Sequence, residues 1–238
     1  MSSNQSPRYW AVIPAAGGGT RMGINRPKQY LPLRGRTILE WSLASFLDHD
    51  HIDGVVLVLA KNDQEYPKLP IARHPKIVTT HGGVARADSV LAGLEAVAAR
   101  TQGFEEVFVM VHDAARPCVE WADIERLREE ADDEHGGLLA LPVTDTLKKS
   151  KQGKVSSTVD REFIWRAQTP QIFRLDLLMS SLKECAERGL EVTDEASAME
   201  RAGYTPRLVR GRDSNIKVTY AEDLAVAEFW LARQEQQP

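Results

Sequence analysis

A glycine-rich segment near the N-terminus carries the clearest chemical signal. It reads PAAGGGTRMG over 14–23 and directly follows the apolar run WAVI at 10–13. The consecutive glycines Gly17, Gly18 and Gly19 permit positive φ angles and expose backbone amides, which together can form an anion-binding nest. A flexible strand-to-loop turn is the simpler alternative. We favour phosphate binding because the glycines come immediately after a strand.

The spacing of the glycines limits which kind of phosphate site this segment can form. The sequence lacks the Gly-Lys-Ser/Thr of a Walker loop, and Gly17, Gly19 and Gly23 are spaced too widely for the G-x-G-x-x-G dinucleotide fingerprint. A nicotinamide-dependent reductase is therefore disfavoured, although it stays an alternative. Two cations accompany the glycines, Arg21 within the loop and Lys28 in RPKQY. They suit a triphosphate, since they can neutralise charge that develops on the α-phosphate and the leaving pyrophosphate.

A second polar group follows another apolar run. The segment VHDAARPC begins at the last residue of the apolar run VFVMV. This places His112, Asp113 and Arg116 at the carboxyl end of a strand, where open α/β sheets bind ligands. Asp113 is a candidate Mg²⁺ ligand, because Mg²⁺ takes one or two carboxylates together with phosphate oxygens. An ion pair between Asp113 and Arg116 within the turn is an equal alternative. We interpret His112 as a hydrogen-bonded structural histidine rather than a metal ligand.

Three further segments carry weaker signals. HGGVARADSV predicts a glycine turn before a helix, where Ser89 and the free amides of the first turn can hold a base or ribose. EVTDEAS is typical of an N-cap at Thr193 with acids in the first turn, and NIKVT places Lys217 in a short strand-like piece. The sequence shows neither a Ser-His-Asp, Cys-His or HExxH spacing nor an obvious general base. This fits a nucleophile that is already ionised, such as a phosphate monoester.

Two alternating apolar patterns predict the elements that position these groups. Short runs that are apolar throughout indicate parallel strands buried on both faces. They lie at 10–13, 55–60, 107–111 and 137–143. Between them lie segments with helical periodicity. Strands alternating with helices predict an α/β fold with a doubly wound, mostly parallel, Rossmann-like sheet.

The helical segments carry their own boundary signals. Segment 37–48 opens with the capping-box pair Thr37 and Glu40, and segment 219–234 opens with the same spacing at Thr219 and Glu222. The predicted buried faces are Leu39, Leu43, Phe46 and Leu47 in the first, Val90, Leu91, Leu94, Val97 and Ala98 in 86–99, and Leu224, Val226 and Trp230 or their neighbours in the last.

One stretch breaks this pattern. TLKKSKQGKVSST at 146–158 is polar and rich in Lys, with Gly153 between two short alternating pieces. This predicts a protruding hairpin. Composition alone favours a solvated surface loop, and the alternative is an arm that reaches a partner subunit.

The composition excludes several classes of protein. The chain has 238 residues, 42% hydrophobic and 27% charged, as in globular proteins. Lys and Arg total 30 against 34 Asp and Glu, and the net charge of −4 disfavours a nucleic-acid partner. The start MSSNQSPR lacks a signal-peptide core, and no apolar run approaches the ~20 residues that cross a bilayer. With only Cys118 and Cys185, a disulfide scaffold is excluded, and we expect a cytoplasmic protein without a membrane partner.

Taken in order, the motifs resemble one enzyme family. They are PAAGGGTRMG, RPKQY, GGVARADSV, VHDAARP, QTPQ, VTDEAS and NIKVT, and the resemblance runs from about residue 9 to 232. The family is that of the 2-C-methyl-D-erythritol 4-phosphate cytidylyltransferases of the nonmevalonate isoprenoid pathway. Ribitol-5-phosphate cytidylyltransferases look similar and, with other sugar-phosphate nucleotidyltransferases, form the alternative. The Ala-Ala-Arg-Pro form and GGVARADSV favour the methylerythritol enzymes.

The resemblance implies a reaction and its catalytic residues. Family members transfer a cytidylyl group from CTP to the phosphate of methylerythritol phosphate and release pyrophosphate with Mg²⁺, on a nucleotidyltransferase-type sheet. The implied catalytic residues are Arg21, Lys28, Lys217 and Arg161, and the implied metal ligand is Asp113. A CTP-binding module without activity would have little use for these groups together.

The resemblance and the glycine-rich loop together give the candidate binding residues. Those for the nucleotide are Pro14, Ala15, Ala16, Gly17, Gly18, Gly19, Thr20, Gly83, Ser89, Ala114 and Arg116. Those for the acceptor substrate are Thr146, Arg161, Thr169, Thr193 and Lys217.

The resemblance also implies an assembly. The family forms homodimers through a β-arm, which favours the arm interpretation for 144–165 and places Arg161 in the neighbouring subunit's site. We expect residues 1–238 to form a single, monofunctional cytidylyltransferase domain.

Overall fold

A computed structural model provides the structure of the protein and describes residues 6–17 and 26–236. The strands are β1 (Arg8–Pro14), β2 (Pro32–Leu33), β3 (Arg36–Thr37), β4 (Gly54–Leu59), β5 (Ile77–His81), β6 (Val107–Val111), β7 (Gly137–Pro142), β8 (Leu147–Lys151), β9 (Lys154–Val159), β10 (Trp165–Arg174) and β11 (Arg207–Arg210). The helices are α1 (Ile38–Leu47), α2 (Arg86–Ala98), α3 (Trp121–Glu130), α4 (Leu175–Glu187), α5 (Glu195–Arg201) and α6 (Asp223–Gln234). Short 3-10 helices span Lys28–Tyr30, Tyr66–Lys68 and Pro70–Arg73.

The centre of the fold is a seven-stranded sheet in the order β11-β7-β10-β6-β1-β4-β5. Strand β1 runs parallel to β4 and β6, β4 to β5, and β7 to β11, whereas β10 is antiparallel to both of its neighbours. The predicted mostly parallel sheet is confirmed. The apolar runs read from the sequence form β1, β4, β6 and β7.

Side chains of β1 alternate between two apolar layers. Ala11 and Ile13 belong to the layer that contains residues of α1 and α3, whereas Val12 belongs to the layer that contains residues of α2 and α4. Helices therefore cover both faces of the sheet, which is why its central strands are apolar throughout.

The first two helices follow their sequence patterns. The capping box of α1 is present, because the Glu40 amide donates to Thr37 Oγ1 at 3.2 Å and the Thr37 amide to Glu40 Oε2 at 2.8 Å. The predicted face of α1 is buried. On α2, the buried members of the predicted face are Val90, Leu94 and Val97, with Leu91 and Ala98 half-buried. Gly93 lets α2 approach the sheet, since a Cβ there would overlap the Val12 side chain.

The prediction for the last helix is wrong at its start. Helix α6 begins at Asp223, and the carboxylate of Asp223 accepts from the amides of Thr219 and Tyr220 at 2.7 and 2.8 Å. Thr219 lies before the helix, and the neighbouring Val218 amide donates to the Ala115 carbonyl at 2.8 Å. The predicted buried face also fails in part, since Val226 is exposed.

The hairpin expected around Gly153 is present. Strands β8 and β9 pair antiparallel as a separate two-stranded sheet, and nearly all of their residues are exposed. Gln152 and Gly153 both take positive φ angles, of 50° and 75°, as a tight hairpin turn requires.

Within the described residues, none of the helices combines the length and apolarity that a membrane crossing demands.

Candidate active site

A cavity of about 250 Å³ lies at the carboxyl ends of β1 and β6. The start of the glycine-rich loop forms one wall, and the turn before α2 faces it. Its lining residues are Pro14, Ala15, Ala16, Gly17, Lys28, Gln29, Gly83, Val84, Ala85, Arg86, Ser89, Asp113, Ala114, Ala115, Lys217 and Thr219. The two parallel strands end side by side, so segments distant in sequence meet here.

Lys28 enters the cavity from the first 3-10 helix. Its Nζ donates to the Val218 carbonyl at 2.7 Å, which ties it to the segment that carries Lys217. The next residue, Gln29, is buried and donates from Nε2 to the Ala15 carbonyl at 2.8 Å. These contacts fix the RPKQY segment against the end of β1.

Asp113 sits among three cations. Its Oδ2 lies 2.8 Å from Lys217 Nζ and 3.6 Å from Arg116 Nε, and its Oδ1 lies 3.3 Å from Arg86 Nη2. Burial alone would raise the pKa of Asp113, but the charges of Arg86, Lys217 and Arg116 hold that pKa far below its usual range. The carboxylate is therefore ionised whenever the protein is folded near neutral pH.

Hydrogen bonds link the backbone of Asp113 to Thr169 and His112. The Asp113 amide donates to Thr169 Oγ1 at 3.0 Å, and this hydroxyl also lies 3.1 Å from His112 Nδ1. His112 Nε2 lies 3.1 Å from the Arg116 carbonyl, which can only accept, so the proton belongs on Nε2. Burial lowers the pKa of His112 to about 4, which keeps the ring neutral. The expectation of a structural histidine is confirmed.

The turn before α2 is shaped by close backbone approach. A Cβ on Gly82 would lie 2.5 Å from Ser89 Oγ and 2.7 Å from the Ala16 side chain. Glycine is therefore required where this turn contacts the glycine-rich loop. The Ala85 amide donates to the Asp88 carboxylate at 2.9 Å, which starts the helix.

An ion pair between α2 and α5 adjoins the cavity. Arg86 Nη1 and Nη2 lie 2.6 and 3.2 Å from the two carboxylate oxygens of Glu195, whose side chain is 1% exposed. Burial raises the pKa of Glu195, against the opposing charge of Arg86. Burial by itself would lower the pKa of Arg86, but Glu195 and Asp113 raise it overall.

The expected cap at Thr193 is wrong. Asp194 is the N-cap of α5, and its Oδ1 accepts from the Ser197 amide at 3.0 Å. The Asp194 carboxylate is held in place by Gln171 Nε2 at 2.9 Å, a contact from β10 that the local pattern does not reveal. Thr193 is exposed, and its hydroxyl lies 3.5 Å from Ser197 Oγ.

The structure brings most of the predicted nucleotide-binding residues together. The predicted nucleotide-binding residues that line the cavity are Pro14, Ala15, Ala16, Gly17, Gly83, Ser89 and Ala114. The predicted catalytic residues Lys28 and Lys217 and the predicted metal ligand Asp113 line it as well. The segment carrying Lys217 is irregular, so the strand-like piece expected there is wrong. Gly18, Gly19, Thr20 and Arg21 lie outside the described residues.

Other predicted residues do not line the cavity within one chain. Arg116 lies behind Asp113, where its Nη1 donates to the Asn215 carbonyl at 2.7 Å, and burial lowers the pKa of its guanidinium. Thr169 is buried and contacts Asp113 only through the backbone amide. Thr146 and Arg161 are exposed at the base of the hairpin, where Arg161 donates to the Thr144 carbonyl.

Comparison with known proteins covers nearly the whole chain. The family model for 2-C-methyl-D-erythritol 4-phosphate cytidylyltransferase matches residues 9–233. The chain belongs to this cytidylyltransferase family. The protein of that name from Ectopseudomonas mendocina is 49% identical over 234 residues, covering 97% of this chain and 99% of the relative. One from Pseudomonas putida strain F1 is 53% identical over 220 residues, covering 92% and 93%.

Solved structures give the same answer for the fold. The crystal structure of the Francisella tularensis cytidylyltransferase is 36% identical and superposes with a TM-score of 0.80, covering 94% of this chain and 99% of that one. The family named by the sequence motifs is confirmed. Membership in the cytidylyltransferase family also sets aside a reductase.

Several cavity residues of this cytidylyltransferase escaped the sequence analysis. They are Gln29, Val84, Ala85, Arg86, Ala115 and Thr219. Arg86 had a usable signal, since it lies between the second glycine pair and Ser89 in GGVARADSV. Glu195 had none, because an acid in a first helical turn is ordinary.

The donor set limits how a metal can bind. Of the described residues lining the cavity, Asp113 alone carries a carboxylate, and the described part of the chain holds no cluster of metal-ligating side chains. This fits an ion that takes one ligand from Asp113 and the rest from phosphate oxygens and water, as Mg²⁺ does in nucleotide sites.

Proposed function

We propose that this chain transfers a cytidylyl group from CTP to 2-C-methyl-D-erythritol 4-phosphate, giving 4-diphosphocytidyl-2-C-methyl-D-erythritol and pyrophosphate. Family membership supports the reaction. The single observation that carries it is the meeting of Lys28, Lys217 and Asp113 with the start of the glycine-rich loop in one cavity. Such a cavity offers amides and cations to a triphosphate and a carboxylate to its metal.

The proposed chemistry is an in-line displacement at the α-phosphorus of CTP. A phosphate oxygen of methylerythritol phosphate forms the new P–O bond while the bond to pyrophosphate breaks. The acceptor phosphate is already ionised, so no general base is needed. Lys28 stabilises negative charge on the α-phosphate and the leaving group, and Lys217 orients the attacking phosphate. Arg21, which lies outside the described residues, is assigned the same role as Lys28.

Asp113 is the residue that would hold Mg²⁺. The ion, bound mainly through CTP phosphates, would supply charge neutralisation and fix the triphosphate conformation. Burial raises the pKa of Asp113, but the charges of Arg86, Lys217 and Arg116 lower it more strongly. The low pKa that results keeps the carboxylate ionised and able to bind a cation.

The nucleotide half of the site is the turn before α2 together with β1. We assign the base and ribose to Ala15, Ala16, Gly83, Ser89 and Ala114, which line one cavity. We assign the CTP phosphates to the glycine-rich loop. Arg116 is assigned a supporting role, since it holds Asp113 from behind.

The acceptor half of the site is completed by a second subunit. We propose a homodimer built through the arm 144–165, with Arg161 and Thr146 reaching the neighbour's cavity and Thr169 and Thr193 contributing in the same chain. The support is the exposed hairpin together with apolar side chains exposed on the arm, Val155 at 67% and Phe163 at 82%. Exposed apolar residues concentrated on one segment are typical of interaction surfaces.

We also propose that residues 1–238 act as one catalytic domain in the cytoplasm. Cys118 and Cys185 are both buried and unpaired, which suits a reducing compartment.

The deciding experiment is pyrophosphate release with CTP and Mg²⁺, comparing methylerythritol phosphate with ribitol 5-phosphate as acceptor. Release with methylerythritol phosphate alone is the expected result. Release with ribitol 5-phosphate alone would keep the chemistry and assign a different acceptor. Absence of release with either acceptor, from folded protein, would overturn the proposal.

A further inference from the structure

The Arg86–Glu195 ion pair has features that a purely structural contact does not need. Glu195 places a buried negative charge beside a cavity built for phosphates, where a negative charge opposes binding. Its carboxylate engages both terminal nitrogens of Arg86, at 2.6 and 3.2 Å. One of those nitrogens also lies 3.3 Å from Asp113 Oδ1.

Other hydrogen bonds fix the starts of the two helices that carry this ion pair. Helix α5 is capped by Asp194, and its Ala196 amide donates to Gln171 Oε1 at 2.8 Å. The start of α2 is capped by Asp88 through the Ala85 amide. The Glu195 carboxylate is therefore available for a task other than starting a helix.

We infer this task from where the Arg86 side chain would lie if Glu195 were absent. Its side chain is 33% exposed and lines the same cavity that takes the CTP phosphates, so without Glu195 it would be a mobile cation inside that cavity. We propose that Glu195 is a positioning residue for the transfer reaction, holding Arg86 on Asp113 Oδ1 and away from the CTP phosphates. Asp113 then keeps Oδ2 toward Lys217, 2.8 Å away. This inference rests on the proposed function and concerns the arrangement of its site.

The test is the charge-removing variant Glu195→Gln, with Glu200→Gln as the matched control. Glu200 lies on the same helix, α5, and is exposed. Released onto CTP, Arg86 binds the triphosphate in an unproductive way. We therefore expect kcat to fall about tenfold while KM for CTP stays the same or decreases, as happens when ground-state binding replaces transition-state binding. The control variant should match wild type in both constants.

A double-mutant cycle asks whether Glu195 acts through Arg86. In an Arg86→Met background, adding Glu195→Gln should change kcat less than about twofold, because the residue that it positions is gone. A full Glu195→Gln effect in that background would overturn the inference, as would a raised KM for CTP with kcat preserved. A raised KM for CTP with preserved kcat is expected if the ion pair only stabilises the cavity wall that binds the nucleotide.

Folding is checked by circular dichroism and by the urea midpoint. Should Glu195→Gln fail to fold, Glu195→Asp in the same two backgrounds carries the test, since it keeps the charge and shortens the reach. The kcat loss caused by Glu195→Asp should disappear in the Arg86→Met background, and an equal loss in both backgrounds would contradict the proposal. Wild-type turnover with CTP and methylerythritol phosphate is measured first, so that failure of the proposed reaction is distinguished from failure of this inference.

Discussion

Lys217 Nζ lies 2.8 Å from Asp113 Oδ2, and the two members of this ion pair differ in exposure. The Lys217 side chain is 41% exposed and faces the cavity, whereas that of Asp113 is 10% exposed and has Arg86 and Arg116 as further partners. An incoming phosphate can therefore take Lys217 while Asp113 stays charge-balanced. We therefore expect this pair to present a preformed cation to the phosphate rather than to stabilise the fold.

This relationship predicts that Lys217→Met separates activity from stability. Because the lysine is half-exposed, its loss should change the free energy of unfolding by less than about 1 kcal/mol. Turnover should fall by about 10²–10³, the effect of losing one electrostatic donor to a transition state. Urea denaturation and steady-state pyrophosphate release measure the two quantities. A large loss of stability with normal turnover would contradict the assignment.

Lys28→Ala should abolish most activity in a folded protein. Lys28 is in the cavity wall, and its Nζ is fixed by the Val218 carbonyl. Removing it takes away a positive charge next to the reacting phosphates, with a cost of about 2.7–4 kcal/mol in the barrier. Lys61→Ala, at an exposed lysine after β4, is the matched control. Near-normal turnover of folded Lys28→Ala would remove Lys28 from the mechanism.

Sites shared between subunits predict complementation. If Arg161 acts in the neighbour's cavity, Arg161→Ala and Lys28→Ala each inactivate both sites of a homodimer. Mixing them at equal amounts forms hybrid dimers with one intact site, which gives about a quarter of wild-type activity after random exchange. Mass spectrometry of the mixture establishes that exchange has occurred. With exchange demonstrated, a mixture as inactive as its parents would rule out shared sites.

The buried His112 predicts a pH-dependent stability. Burial lowers its pKa in the folded state to about 4, against about 6.5 when unfolded, so the unfolded chain binds the proton first. The stability from the neutral ring is fully present above pH 6.5 and is lost as the pH falls toward 4. The loss amounts to about 3 kcal/mol over that range.

Urea titrations between pH 7 and 4.5 measure this contribution. His112→Gln, which does not titrate, should be less stable at pH 7 but should lose less stability on acidification than wild type. His81→Gln, at an exposed histidine, serves as the control and should follow the wild-type curve. Parallel curves for wild type and His112→Gln would contradict the prediction.

Local patterns in the sequence determined much of the framework. The strands β1, β4, β6 and β7 and the capping box of α1 were predicted because each depends on residues within a few positions of one another. The order of the motifs was sufficient to name the family. Most of the nucleotide-binding residues that line the cavity came from this resemblance together with the glycine-rich loop.

Only the tertiary structure decided the contacts between distant segments. Arg86 and Glu195 are 109 positions apart, and nothing near either residue marks the pair. Helix α5 takes its cap from Asp194 rather than Thr193, and Gln171 of β10 holds that carboxylate across the fold. A cap or an ion pair that depends on a remote partner has no local signature, because the free energy that selects it arises only when the sheet brings the two segments together.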